Sequence, residues 1–461
     1  MKYIKTIIAS AAFMLSATTT QAQNTESGYF IDGYLSRHDM NPAIANDQNY
    51  ISMPVLGNID FSLNGNVGLQ DFLYNVNGKT TLFTNPNVST AEFLGNINDK
   101  NKIGTDIKMK LLGVGFKGLG GYNSIGINLR ANLNTNIPGT LFRLAKEGLQ
   151  NQSYDIRDFN IQSTEYVELA LGHSHKLSEK LRIGATLKVL LGGANLDARF
   201  DKAEITFNGN DWTAVTNATV ESSVKGLKYK TETTQRGAEG EKKPHTYVND
   251  VDVKGAGLNG FGLAVDLGAE YKINNDWKLS AAVLDLGFIS WSNNMVASTN
   301  GDRKFSLNKY TFNADKDAPN SFEKEMDRLT ADLASLYELQ DNGDKGGHST
   351  GLAATANVGI EYTLPSYRKL SFGLLNTTRL NGNYTWTDVR LSANWAPAKV
   401  ISMGANVAVG TYGTSFGWLL NVHPNGFNLF LGMDRTFGKL AKQGVPLSSN
   451  GSVNLGISFP F

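Results

Sequence analysis

Cysteine is absent from the chain, which excludes a disulfide scaffold and an amino terminus anchored through a lipid-modified cysteine. Long apolar runs are scarce too. The longest occupies residues 7–15, well short of the ~20 residues that a spanning helix needs. Charge of either sign is not in excess: Lys+Arg 43 against Asp+Glu 42 gives no reason to expect nucleic acid as a partner. Proline numbers only 11, and no linker rich in Pro or Ser divides the 461 residues into the soluble domains that such a length allows. No nucleophile elbow on a strand-to-helix turn and no phosphate-binding glycine loop opening a helix is read from the sequence. No enzymatic activity and no cofactor are therefore expected.

What the chain does contain begins with Met1, Lys2 and Lys5, an apolar core, and a small polar stretch ending at Thr20, Gln21 and Ala22. This is the layout of a secretory signal peptide, residues 1–22, cleaved after Ala22. Further on, apolar residues alternate with small or polar ones. Phe261, Leu263, Val265, Leu267 and Ala269 oppose Gly262, Ala264, Asp266, Gly268 and Glu270; Ile401, Met403, Ala405, Val407 and Val409 oppose Ser402, Gly404, Asn406 and Ala408. Period two is the strand signature. In a soluble sandwich the apolar face meets a core, whereas in a membrane barrel it meets lipid and the polar face lines the lumen.

The ends of the chain favour the barrel. Val453, Leu455, Ile457, Phe459 and Phe461 share one face of a final strand. A strand ending on aromatic residues, here Phe459 and Phe461, resembles the carboxy-terminal signal read by the barrel assembly machinery. Near the other end, Asn41-Pro42-Ala43 is followed by a strand from about residue 55. That motif resembles an uncharacterised family of Bacteroidota outer-membrane β-barrels, distantly similar to long-chain fatty-acid transporter-like and type IX secretion barrels. The resemblance implies residence in the cell outer membrane, with its lipid as surroundings.

Connection lengths give an independent count. Short turns fall near residues 118–122, 177–180, 274–276, 365–369, 397–399 and 424–426, and long links near 69–102, 134–162, 197–256 and 293–347. With short turns toward the periplasm and long loops outward, this predicts an all-β, antiparallel transmembrane barrel of about fourteen strands. It becomes sixteen if the strand-like runs within residues 201–253 span as a pair. The predicted organisation is a signal peptide (1–22), an amino-terminal periplasmic or plug segment (23–54) and the barrel (55–461). Trp277, Trp291, Trp395, Tyr362 and Tyr271 are expected as interfacial girdles, while Trp386 points inward. Two helices are expected in outward loops: one after Pro138, and one carrying Phe322, Met326, Leu329, Leu333 and Leu336, capped by Asn320 with Glu323.

Strand register places a set of charges inside: Lys108, Lys110, Arg130, Glu168, Lys188, Asp266, Glu270, Asp285, Glu361, Asp388 and Arg390. Facing lipid, each basic group would cost up to about 2–4 kcal/mol near the midplane. Their mixed signs suit a braced wall or a held plug better than an ion-selective ring. Tyr29, Phe30, Tyr34, Asn41 and Pro42 are the candidate plug or gate. His173 and His175 share a strand face, but zinc needs three or four ligands; residues 341–344 lack the full spacing of a calcium loop. No metal site is expected. Two functions remain open: passage or binding of a small hydrophobic compound, with residues 24–50 as a hatch, or a docking barrel in a secretion, gliding or surface-assembly machine, with a surface protein as partner.

Overall fold

A computed structural model describes residues 25–209, 211–255, 257–436 and 448–461; the expected signal peptide lies outside them. Fourteen antiparallel strands close into a barrel. They are β1 Ile59–Gly65, β2 Lys100–Gly118, β3 Gly121–Pro138, β4 Asn160–Lys176, β5 Leu181–Asn208, β6 Gly260–Lys272, β7 Trp277–Trp291, β8 Ala354–Thr363, β9 Leu370–Leu380, β10 Trp386–Ala398, β11 Ile401–Gly410, β12 Gly413–Val422, β13 Asn428–Met433 and β14 Gly451–Pro460. Closure comes from β14 pairing with β1, Ile59 opposite Leu455 and Leu63 opposite Gly451. A short piece, Tyr50–Ser52, also pairs with both β14 and β2. The wall therefore starts at Tyr50, ahead of residue 55. Among the described residues, no helix is long and apolar enough to cross a membrane.

Alternation sets the two faces. On β10, Val389, Leu391 and Trp395 are exposed on the outside while Asp388, Arg390, Ser392 and Asn394 are buried within. Ile183, Leu187, Leu263, Leu279, Val358, Leu374, Val407, Leu420 and Leu431 continue the outward apolar band around the circumference. So much contiguous exposed hydrocarbon has no place in water, and it matches the lipid-facing belt of a membrane barrel. Tyr271, Trp277 and Trp395 are exposed beside the short turns, where an interfacial girdle belongs.

The two rims differ in height. One carries the six short turns. On the other, β5 runs on to Asn208 and pairs with Asp211–Val224, which in turn pairs with Met295–Ser298 and Arg303–Ser306. The hairpin Leu227–Arg236 and Lys243–Val253 stands beside this extension. The strand-like runs of residues 201–253 thus rise above the wall instead of adding a spanning pair. Across the barrel, β9–β10 and β11–β12 are joined by short links, and the mouth is low there.

Helix α1, Thr90–Gly95, packs against α2, Gly139–Glu147, through rings of Phe72, Phe83, Phe93 and Phe142. Helix α3, Phe322–Ser335, lays Leu329 and Leu333, with Leu336 just beyond it, on Ala214, Phe305 and Tyr310 of the extension. It packs on its own loop and on the strand Asp211–Val224 of the extension. Its N-cap is Ser321 rather than the expected Asn320, whose amide instead donates to the carbonyl of Thr311 at 3.1 Å.

Trp291 also departs from expectation: it is buried inside the barrel with Tyr166, Leu190, Ala264 and Ile289. The cause is a bulge in β7. Val265 faces Leu286 but Leu267 faces Val283, so β7 carries one extra residue opposite Asp266. Asp285 takes it up at φ 60°, and its N–H donates to the Asp266 carboxylate at 2.7 Å. Beyond the bulge every β7 side chain changes face, turning Leu286 and Phe288 to lipid and Ile289 and Trp291 to the lumen.

These faces predict opposite outcomes for neighbouring residues. Leu391→Arg should lower unfolding stability in lipid vesicles by about 2–4 kcal/mol, measured by urea titration of tryptophan fluorescence, whereas Ser392→Ala, inside, should change it by about 1 kcal/mol at most.

Candidate functional site: the plugged lumen

Residues 25–49 lie inside the barrel and join the wall at Tyr50, at its short-turn end. Two short 3-10 turns, Glu26–Gly28 and Leu35–Asp39, are all the regular structure they contain. Their apolar residues nevertheless form a core: Tyr29, Phe30, Ile31, Tyr34, Met40 and Ile44 pack on Leu375, Leu419 and Phe430 of the wall. Tyr34 meets Phe430 edge-on at 4.8 Å, and Tyr29 meets Phe30 likewise at 4.9 Å. Such pairs add about 0.5–1.5 kcal/mol each beyond the area they bury.

An irregular backbone away from water must still satisfy its carbonyls. Wall side chains do this. Ser402 Oγ donates to Asp32 O at 2.6 Å, Asn428 to Gly33 O at 3.0 Å, Asn357 to Met40 O at 3.0 Å and Ser174 Oγ to Ala43 O at 2.8 Å. The Asn41 amide reaches Tyr29 Oη at 3.2 Å and the carbonyl of Ala269 at 3.3 Å, while its Oδ1 accepts from Ala43 N at 2.9 Å. That turn fits because the wall gives way. A Cβ on Gly184 would lie 2.1 Å from the Pro42 carbonyl, and one on Gly373 would lie 2.2 Å from the Phe30 ring.

Charges lock the same segment at two points. Asp39 lies 2.8 Å from Lys110 Nζ and 3.3 Å from Lys108 Nζ. Burial pushes its carboxyl up, yet the two ammonium groups prevail and hold it well below the usual carboxylate range. Beside it, burial lowers His38 to about 4, so the imidazole is neutral at pH 7; Nδ1 donates to Leu35 O and Nε2 accepts from Tyr50 Oη. At the other point Glu26 meets Arg390 at 2.7 Å, Arg390 and Arg435 share Asp388, and Asp434 accepts from Ser27 N.

Beside the plug the wall carries a second network. Lys188 reaches Asp266 at 2.7 Å and Asp285 at 2.6 Å, and Arg130 bridges Asp285 at 3.1 Å and Glu168 at 3.4 Å. The bulge of β7 delivers the Asp285 carboxylate to this junction. Each charge has an opposite partner at contact distance, as burial demands. Outward again lies a vestibule of about 230 Å³ lined by Asn132, Gln162, Tyr166, Asn195 and Arg379.

The residues singled out by sequence fall into three places. Lys108, Lys110, Arg130, Glu168, Lys188, Asp266, Asp285, Asp388 and Arg390 face the lumen, as does Glu361, paired with Lys278 at 2.7 Å; Glu270 lines the short-turn mouth beside Arg182 and Lys278. Tyr29, Phe30, Tyr34, Asn41 and Pro42 are buried in the plug. Phe459 and Phe461 are exposed on the outer surface, apart from both. His173 and His175 stack near the short-turn rim, His173 Nδ1 sharing a hydrogen bond with Asn123 Oδ1. No group of three metal-ligating side chains forms among the described residues. Sequence reasoning missed Glu26 and Asp39, two acids inside an aromatic-rich segment, and the wall amides that hold the plug backbone; only the inward side of the strand alternation hinted at the amides.

A model of a protein family described as "Family of unknown function (DUF5723)" matches residues 42–434. No curated protein matches the chain. Among solved structures, the toluene transporter TodX of Pseudomonas putida is 9% identical, with 96% of this chain and 95% of that chain covered at a TM-score of 0.38. A Pseudomonas aeruginosa FadL homologue gives 9% identity, 96% and 98% coverage and a TM-score of 0.41. The translocator domain of the autotransporter NalP from Neisseria meningitidis gives 8%, 92% and 91%, and 0.32. The barrel assignment rests on the strand pairing above, not on these likenesses.

Two substitutions test how the plug is held. Asp39→Asn leaves two buried lysines without their carboxylate and should weaken docking by about 3–5 kcal/mol. Gly373→Val should displace Phe30 at a cost of about 1–3 kcal/mol. In both, hydrogen exchange should rise through residues 28–44 while β8–β10 stay protected.

Proposed function

This chain belongs to the family of unknown function DUF5723, and from its geometry we propose an outer-membrane channel that its own amino-terminal segment shuts. Displacement of residues 25–49 opens it to a small molecule. The observation that carries this reading is the aromatic plug seated in the lumen on Leu375, Leu419 and Phe430 and tied to the wall through Asp39 and Glu26. The contacts that dock this irregular segment, apolar packing, hydrogen bonds and ion pairs, are all reversible, as a displaceable plug requires. The resemblance to fatty-acid transporter-like barrels suggests a hydrophobic cargo. The vestibule lining of amides, hydroxyls and paired charges supports a polar one instead.

A second reading, a docking barrel for a surface protein, draws on one feature. Phe312 and Phe322 pair at 5.5 Å on the outer extension, 45% and 63% exposed. A photocrosslinker at Phe322 that captures one stoichiometric partner in intact cells would favour it.

Deleting residues 25–48 tests the channel. Tyr50–Ser52 remain to pair with β2 and β14, so the barrel should fold. In planar bilayers the deletion should show steady conductance where the full chain is silent; a silent, folded deletion would refute the channel.

A further inference from the structure

We propose that the outer vestibule is a binding site for a single neutral, polyhydroxylated ring of the hexose type. This rests on the channel reading above, in which the vestibule is the outward part of the path. Its shape comes from strands that the bulge and the high rim bring together. β3 supplies Asn132 and Asn134, β4 Gln162 and Tyr166, β5 Asn195, and the low rim after β9 Asn381. At about 230 Å³ the cavity is below the ~300–1,000 Å³ of drug-sized sites, which limits the occupant to about one ring.

The chemistry of the lining selects the class. A side-chain amide both donates and accepts, so amides converging from several strands match vicinal hydroxyls, which do the same. Several of these groups have capacity to spare. Among the described residues, Nδ2 of Asn132, the side chain of Asn381 and the hydroxyl of Tyr166 have no protein hydrogen-bond partner, whereas Asn132 Oδ1 accepts from Asn134 at 3.4 Å. The charges, by contrast, are already engaged. Asp197 accepts from Gln162 at 2.9 Å and from Arg199 at 3.2 Å, Glu221 accepts from Arg199 at 3.1 Å, and Arg379 is held by Asp106 at 3.1 Å. Among the described lining residues, Asp197, Glu221 and Arg379 each already have an opposite charge as partner, which disfavours an ionic guest.

An apolar guest would strand the amides without water or partner. Tyr166 and Leu352 add a small apolar floor, suited to the C–H face of a sugar ring. Arg130 lies 6.0 Å from the Tyr166 ring centroid and fixes its attitude. The indole N–H of Trp291 donates to Thr350 Oγ1 at 2.9 Å, so the lumen face created by the bulge also orders the vestibule wall.

The test uses the full chain in lipid nanodiscs, free of glycoside detergents, with saturation-transfer NMR of glucose, galactose, toluene and octanoate. Glucose or galactose should take up saturation, and toluene and octanoate should not. Asn132→Leu and Asn381→Leu, each confirmed as folded by its retained heat-modifiable gel mobility, should each weaken the hexose signal about tenfold. Transfer to toluene or octanoate with silent hexoses, or a hexose signal that both substitutions leave unchanged, overturns the proposal. The two readings fail separately: conductance of the plug deletion with no hexose binding removes this site and leaves the channel, while hexose binding with a silent deletion leaves the site and removes the channel.

Discussion

Inside a membrane barrel, a non-helical backbone persists only where its polar groups find partners, and the wall of this chain supplies partners to the plug. Ser174, Asn357, Ser402 and Asn428 donate to plug carbonyls from four different strands. Remove those donors and residues 25–49 would hold water or leave. The Asn-rich inner face is therefore less a pore lining than a mould for one particular segment, and the close approaches at Gly184 and Gly373 belong to the same fit.

The electrostatics follow from the same geometry. A lumen this narrow cannot hydrate isolated charges, so each inward cation meets an anion. Some of those anions belong to the wall, as Asp285 does for Lys188 and Arg130, and some to the plug, as Asp39 does for Lys108 and Lys110. The division has a functional meaning. Wall-to-wall pairs, Arg390 with Asp388 among them, survive displacement of the plug, whereas Lys108 and Lys110 lose the Asp39 carboxylate when it leaves. An open state would accordingly carry a more positive inner surface around Lys108 and Lys110 than the closed one. The vestibule above, whose charges pair among wall residues, would keep its character in both.

Much of this architecture was legible in the sequence. Period-two alternation and the regular swap of short and long links give the antiparallel barrel and its strand number, because lipid on one side and a polar lumen on the other impose one pattern on every strand. The same argument puts Lys188, Asp266, Asp388 and Arg390 inside. Other features had no plain local signal. The bulge at Asp285 is one residue long, yet it moves Trp291 from the expected girdle into the lumen; the apolar phase does switch there, from Trp277, Leu279 and Val283 to Leu286 and Phe288, but Ile289 and Trp291 fall back on the first phase and hide the switch. The shift of the α3 cap from Asn320 to Ser321 depends on Thr311 offering a carbonyl from a neighbouring turn. The partners of Glu26 and Asp39 lie far along the chain, at Arg390 and Lys110, and sequence spacing does not report such encounters.

The absence of cysteine opens the most direct test of the central claim, that residues 25–49 occupy the lumen of the folded barrel in the membrane. A Cβ placed on Gly417 would lie 2.8 Å from Ser27 Oγ, near enough for a bridge between plug and wall; it would also lie 2.7 Å from the Asp434 carbonyl, so heat-modifiable gel mobility must first show that the double variant folds. The double variant Ser27→Cys, Gly417→Cys carries two thiols and no others. In whole cells under mild oxidant the account predicts a disulfide in most of the protein, seen as altered gel mobility that reverts on reduction. Two free thiols, both labelled by a bulky water-soluble reagent added outside an intact folded barrel, would contradict it.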